Sequence, residues 1–185
     1  MNGGENLVKI TISGHPGSGT STLVNGLCKY FSWESLNGGE IFRDEANRRN
    51  LTLSEFGDLC ASDFSVDKSL DDILKENMLK NDGPEVIESR LSGWWAYKLN
   101  LDCVRLWVDV NDKVRAERVV EREGISLENA LSQNAKRSEK DLARYLELYG
   151  LSPQDKEPYS HIIDASEINA DEVLTKVIQI LEDLL

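Results

Sequence analysis

Long apolar runs are missing from these 185 residues, and none approaches the ~20 needed to cross a bilayer. The opening "MNGGENLVK" has no extended apolar core, so it does not read as a secretory signal. Together these place the expected compartment in the cytoplasm, away from any membrane. Cysteine is scarce: Cys28, Cys60 and Cys103 lie far apart, with no metal-ligand spacing and in an odd number, which fits buried thiols in a reducing compartment. Positive charge is also in short supply. The 21 Lys and Arg face 33 Asp and Glu, a net charge of −12, which argues against a nucleic-acid binder needing a basic face. Internal repeats and low-complexity linkers are absent. One domain of ordinary globular composition, expected as a monomer, is what remains.

What is present alternates between strand-like and helix-like segments, the pattern of a parallel sheet covered on both faces. Strands are predicted over 7–13, 34–38, 84–89, 102–110 and 161–166. Helices are predicted over about 18–31, 40–49, 51–63, 65–81 and 170–184. A long helical stretch over 111–149 is interrupted at "EGIS", where Gly124 reads as a stop and Ser126 with Asn129 as a restart. The fold expected is α/β, a doubly wound five-stranded parallel sheet of the P-loop NTPase type.

The first strand runs into "GHPGSGTST", a glycine-rich turn followed by a helix, which is the setting of a phosphate-binding loop. Gly14 and Gly19 stand in their motif places and Ser21 in the Ser/Thr place, but Thr20 stands where the motif has lysine. Gly17 and Gly19 allow a close backbone approach to an anion, and Ser21 can offer a hydroxyl to Mg²⁺. The candidate phosphate loop is Gly14, His15, Pro16, Gly17, Ser18, Gly19, Thr20, Ser21 and Thr22, and with one ammonium missing either other cations stand in or activity falls.

Arginines are the obvious replacements. Arg115, Arg118 and Arg122 share one helix face at i, i+3, i+7, and Arg137, Lys140 and Arg144 repeat that spacing beyond the break. In an acidic chain these two faces suggest a lid over polyphosphate, since guanidinium grips phosphate oxygens in pairs. Solvated helices laced with ion pairs are the alternative. Arg43 and Arg90 follow the second and third strands, where doubly wound sheets place ligands, and Glu88 ends the third strand as a candidate for holding Mg²⁺. Trp94 and Trp95 are expected in packing, at least one of them in the core, and His161 in strand packing.

The order "GHPGSGTST", "NGGEIFR", "IESRLSGWWA", "VRAERVVEREGISLENAL", "KRSEKDLARYLELYG", "HIIDAS" resembles the archaeal-type cytidylate kinases from about Val8 to the C-terminus. The resemblance implies a P-loop nucleoside monophosphate kinase that uses Mg²⁺ and ATP to convert CMP or dCMP to the diphosphate. It assigns Gly14 to Thr22 to the ATP phosphates. Asn37, Gly38, Arg43 and Arg90 go to the acceptor, and Arg118, Arg122, Arg137 and Arg144 to the transferred phosphoryl group. Residues 38–81 would form the monophosphate-binding insertion and 121–152 the lid of a single domain, 1–185. Departures are Glu88-Ser89-Arg90 in place of Glu-Gly-Arg and "NGG" in place of Ser-Ala-Gly. Thr20 resembles a variant of archaeal members, which implies that it does not mark a dead enzyme. A kinase acting on AMP, UMP or a non-nucleotide acceptor, or a non-catalytic nucleotide binder, would share most of these features.

Overall fold

The computed structural model describes residues 7–184. Five parallel strands stand in the order β2-β3-β1-β4-β5: β1 Ile10–Gly14, β2 Ser35–Asn37, β3 Val86–Glu88, β4 Val104–Asp109 and β5 His161–Asp164. In register, Ile12 of β1 lies opposite Glu88 on one side and Leu106 on the other. The carboxyl ends of β1, β3 and β4 therefore open at one edge, the crevice where sheets of this kind bind ligands.

Side chains alternate across the strands and so feed two cores. On one face Ile10, Ile12, Val86, Leu106 and Val108 pack with Leu23 and Leu27 of α1 (Thr20–Phe31) and with Val173, Val177 and Leu181 of α8 (Ala170–Glu182). Each helix spaces its buried residues three to four apart, the period that builds one apolar stripe. The opposite face is closed by α5 (Ser92–Lys98), with Ile87, Leu91, Trp94 and Trp95 in a second core.

Helix α5 was not expected from the sequence. Its seven residues include Gly93, and Ser92 to Ala96 are all buried, so neither length nor one-sided periodicity announces it. Both tryptophans of the pair are in the core. Trp94 donates from its indole to the Ser152 carbonyl at 2.8 Å and Trp95 to Asp71 at 3.3 Å. His161 sits partly exposed on β5, its Nδ1 3.0 Å from the Ser160 hydroxyl.

Two excursions leave the sheet. Between β2 and β3 run α2 (Gly38–Arg48), α3 (Leu53–Ser62) and α4 (Phe64–Met78), with their own small core of Ala46, Phe56, Cys60, Val66 and Leu70. Asn37 caps α2 by accepting from the Glu40 amide, so that helix starts two residues earlier than expected. After β4 come α6 (Asp112–Glu123) and α7 (Leu127–Tyr149), paired through Ala116, Val119 and Ala130. The break between them follows its sequence signals. Gly124 closes α6 at φ 69° in the left-handed region, and the Ser126 hydroxyl accepts from the Asn129 amide.

Candidate active site

β1 ends at Gly14, where a Cβ would lie 3.0 Å from the Val108 carbonyl and 3.1 Å from the Thr20 methyl. Gly17 and Gly19 take φ of 84° and 85°, so the chain turns sharply and delivers α1 with Thr20 as its first residue. The cap residue Gly19 offers no side chain, and the first turn of α1 holds no acid. Its free amides and the positive end of the helix dipole therefore face outward from the turn, a standing anion site. Ser21 and Thr22 are exposed on this first turn.

Thr20 does not face this space as a lysine would. It is buried and donates to Glu88 Oε1 at 3.1 Å, while the Asn37 amide donates to Oε2. Both oxygens of Glu88 are thus oriented from opposite sides, by the first residue of α1 and the last of β2. Burial pushes the Glu88 carboxyl above its usual range, opposed by Arg90, the Thr20 hydroxyl and Arg43.

Cationic groups collect around the loop by holding its carbonyls. Arg90 donates to the Gly14 carbonyl at 2.8 Å, Arg115 to Pro16 at 3.0 Å, and Arg118 to Ser18 at 2.9 Å. Three alternate carbonyls of the turn are taken by three guanidiniums, one from the β3–α5 corner and two from α6. Arg118 also donates to the Ala165 carbonyl at 2.9 Å, tying the loop to the end of β5. The carbonyls are held away from the anion site while positive charge is brought up to it. Sequence spacing put Arg115 beside Arg118 on one helix face, but its partnership with Pro16 is a tertiary contact that spacing cannot reveal.

The remaining arginines differ in how firmly they are held. Arg144 pairs with Asp67 of α4 at 3.0 Å and with Asp141 at 3.2 Å, and stacks its guanidinium 4.7 Å from the Tyr145 ring centre. Asp141 in turn pairs with Arg90 at 3.2 Å. An unbroken line of contacts, Asp67–Arg144–Asp141–Arg90–Gly14 carbonyl, so joins α4, α7 and the loop. Arg122 pairs with its neighbour Glu123 at 2.6 Å in the open. Arg43 and Arg137 have no ion pair among the described residues. Although Arg137 is exposed over the residue as a whole, desolvation of its charged end and then the nearby Arg90 lower its pKa. Burial is the larger cause, and the second, the like charge of Arg90, is one a bound anion would offset.

His15 stands half-buried in the loop, edge-on to Trp107 with ring centres 5.1 Å apart. Burial, followed by Arg115 and Arg90, lowers its pKa, so it is neutral at pH 7. A cleft of about 200 Å³ opens beside it, lined among others by Pro16, Arg90, Ser138, Asp141 and Leu142. This cleft lies between the loop and α7, with Arg90 on its wall. The arrangement can bind a polyphosphate on one side and a second anion at Arg90 on the other. Gly38, where a Cβ would press on the Ser89 Cβ at 2.8 Å, leaves the end of β3 close to the start of α2.

Sheet order, glycine-rich loop and ringed arginines together define a P-loop phosphotransferase of the small-kinase type. A family profile described as "AAA domain" matches residues 13–130. Among solved structures, a gluconokinase from Sinorhizobium meliloti 1021 superposes with a TM-score of 0.62 at 13% identity, covering 97% of this chain and 94% of its own. A shikimate kinase from Bacteroides thetaiotaomicron gives 0.58 at 13% identity, covering 95% and 98%; at that identity the likeness speaks for the fold. Sequence relatives are nearer. A cytidylate kinase of Halobacterium salinarum (strain ATCC 29341 / DSM 671 / R1) is 36% identical over 173 residues, 94% of this chain and 88% of that one. One from Pyrococcus abyssi (strain GE5 / Orsay) is 37% identical over 168 residues, 91% and 90% of the two. The chain belongs to the cytidylate kinase family.

Proposed function

We propose that this chain transfers the terminal phosphoryl group of ATP to CMP or dCMP, giving ADP and the cytidine diphosphate. The observation that carries the reading is the convergence of Arg90, Arg115 and Arg118 on the loop carbonyls of Gly14, Pro16 and Ser18. It explains how a loop with Thr20 in the lysine place still faces a polyphosphate with ample positive charge.

The loop amides from Gly14 to Thr22 cradle the donor phosphates. Arg43, in no ion pair among the described residues, and Arg90, exchanging Asp141 for phosphate, orient the acceptor together with Asn37 and Gly38. The lid, about residues 121–152, brings Arg122 and Arg137 over the transferred group, while Arg144 fixes the lid against α4 and Arg118 braces the loop. Phosphoryl transfer asks mainly for in-line placement, spread charge and exclusion of water, so no protein base is needed. An arginine on transition-state charge is worth on the order of 10³ or more in rate, enough to offset one missing ammonium.

The donor set suits Mg²⁺. Ser21 and Glu88 present hard oxygens beside the loop, and among the described residues there is no three-member cluster of His, Cys, Asp or Glu of the kind that cages a softer metal. Ser21 and Glu88 would hold the ion, and when bound it would neutralise charge on the β- and γ-phosphate oxygens. No helix among the described residues is long and apolar enough to cross a membrane. The reading proposed is of a monomer acting on small-molecule nucleotides in the cytoplasm. The test is ADP release with Mg-ATP across all nucleoside monophosphates, deoxy forms included. Highest kcat/KM with CMP or dCMP is expected; preference for AMP, UMP or a sugar acid would refute the acceptor, and no turnover with any acceptor would refute catalysis.

A further inference from the structure

We propose that Arg115 is a positioning residue for the donor nucleotide. By this proposal, it holds the phosphate loop from beneath and takes over the fixed part of the absent lysine's work. The inference rests on the kinase reading above.

Three features set Arg115 apart from the other arginines of the site. It is only 4% exposed, so its guanidinium cannot swing out to meet an incoming ligand. Its hydrogen bond to the Pro16 carbonyl spans 99 residues of chain, and its second nitrogen is held by Asp112 one turn away on the same helix. Its own main chain forms a floor as well: a Cβ on Gly17 would lie 2.9 Å from the Arg115 carbonyl and 3.2 Å from its Cβ. The first turn of α6 is thus pressed against the underside of residues 16–17. There, at φ 84°, only the loop's left-handed kink stands between it and the anion site.

A buried guanidinium is costly unless its protons are used, and here Nε has no partner. Such a group is retained where it does something that an apolar side chain of the same volume would not. Holding the Pro16 carbonyl down turns the following amides of the loop upward. The charge so placed is only partly neutralised, because the Asp112 side chain is 84% exposed and its field is screened by water. Arg90 and Arg118 have alternative work at Asp141 and Ala165 and can exchange partners when ligands arrive. Arg115 is the one that stays.

The experiment separates positioning from packing by measuring donor and acceptor independently. Arg115→Met keeps the stem and removes the donors; Arg115→Lys keeps the charge and one bond. Binding of Mg-ATP without acceptor and of CMP without donor is measured by calorimetry, alongside steady-state rates. For Arg115→Met the Kd for Mg-ATP is expected to rise tenfold or more and kcat to fall tenfold, with CMP binding changed less than twofold. Arg115→Lys is expected to recover at least a third of the lost donor affinity. The His15 imidazole, one of two histidines, is expected to titrate higher in the Met variant by NMR, while His161 does not move. A folded Met variant that binds Mg-ATP as tightly as the parent overturns the proposal, as does equal weakening of both substrates. If Arg115→Met does not fold, Arg115→Lys decides, with at least threefold weaker Mg-ATP binding expected and unchanged binding overturning the idea. Failure of the parent itself to bind Mg-ATP would strike the functional reading instead.

Discussion

Restoring the motif lysine, Thr20→Lys, is expected to fail as an improvement. Thr20 Oγ1 lies 3.1 Å from Glu88 Oε1 in a buried setting, so a lysine ammonium placed there meets a carboxylate before it meets a phosphate. Two unit charges 3.1 Å apart at an effective dielectric near 20 attract by about 5 kcal/mol. Desolvating both ions takes back several kcal/mol of this. Even a net 2–3 kcal/mol keeps the ammonium on Glu88 roughly ninety-nine times in a hundred. The added charge is then spent locally, and Glu88 is drawn away from the Mg²⁺ role proposed for it. Initial rates of ADP release with CMP, at several Mg²⁺ concentrations, give the readout. The expected result is a kcat no higher than the parent's and a several-fold greater Mg²⁺ requirement. Thr20→Val, which frees Glu88 without adding charge, serves as the control and should also lose rate. A tenfold gain in kcat for Thr20→Lys would show that the loop is starved of charge and that the arginines around it do not replace the ammonium.

Arg90→Ala should lower kcat/KM for CMP at least about a hundredfold through misplacement of the acceptor, with Mg-ATP binding within a few-fold; near-parental turnover would remove Arg90 from the acceptor site. Asp71 is pushed up to about 6, chiefly by burial and further by Asp67, against hydrogen bonds from Tyr149 and Trp95 and the charge of Arg144. Because its folded pKa exceeds the unfolded one, its contribution to stability is highest below about pH 4 and declines as pH rises to about 6, by about 3 kcal/mol in all. Urea unfolding of the parent and of Asp71→Asn at pH 4, 5 and 6 should therefore give a stability difference that changes across this window, and a constant difference would contradict the assignment. Gly93→Ala sets a methyl 2.8 Å from Tyr159 Cδ1, and the ring is pinned by its hydroxyl donating to the Pro153 carbonyl at 2.6 Å. A loss of roughly 1–3 kcal/mol is expected from overpacking, read as a lower melting temperature; an unchanged one would mean the ring moves freely.

The central strands could be read from the chain because they are short apolar runs closed by turn residues, as with "LVKITIS" before Gly14. Helix α5 could not, because five successive residues of its seven, Ser92 to Ala96, are buried, which leaves no alternation of faces to set a period. The position of Arg90 was legible as well: standing after a strand is a sequence property, and its guanidinium reaches the Gly14 carbonyl at the end of β1, whereas Arg43 lies within α2. What the sequence hid is pairing across distance. Arg137, Lys140 and Arg144 look like one basic face at helical spacing, yet Arg144 is claimed by Asp67 from another helix and by Asp141 on its own. Thr20 looked like a simple loss of charge, whereas in three dimensions it is a donor to Glu88, sixty-eight positions away.

The order of strands has a bearing on how acceptor preference could be re-engineered. Strands β2 and β3 lie to one side of β1, and β4 and β5 to the other, while α5 packs over β1 and β4 and α7 reaches back. Grafting the block from β2 through α5, residues 35–98, from a sister kinase would exchange the proposed acceptor wall in a single contiguous cassette. Contacts across the seam to the later half would have to match, among them Asp67 with Arg144, Arg90 with Asp141, Asp71 with Tyr149 and Trp94 with the Ser152 carbonyl. A graft lacking Asp67 is expected to melt several degrees below one that retains it, since Arg144 then keeps only Asp141 of its two carboxylate partners, a loss of about 1–3 kcal/mol in a largely buried setting. Equal melting of the two hybrids would show that the seam can be ignored.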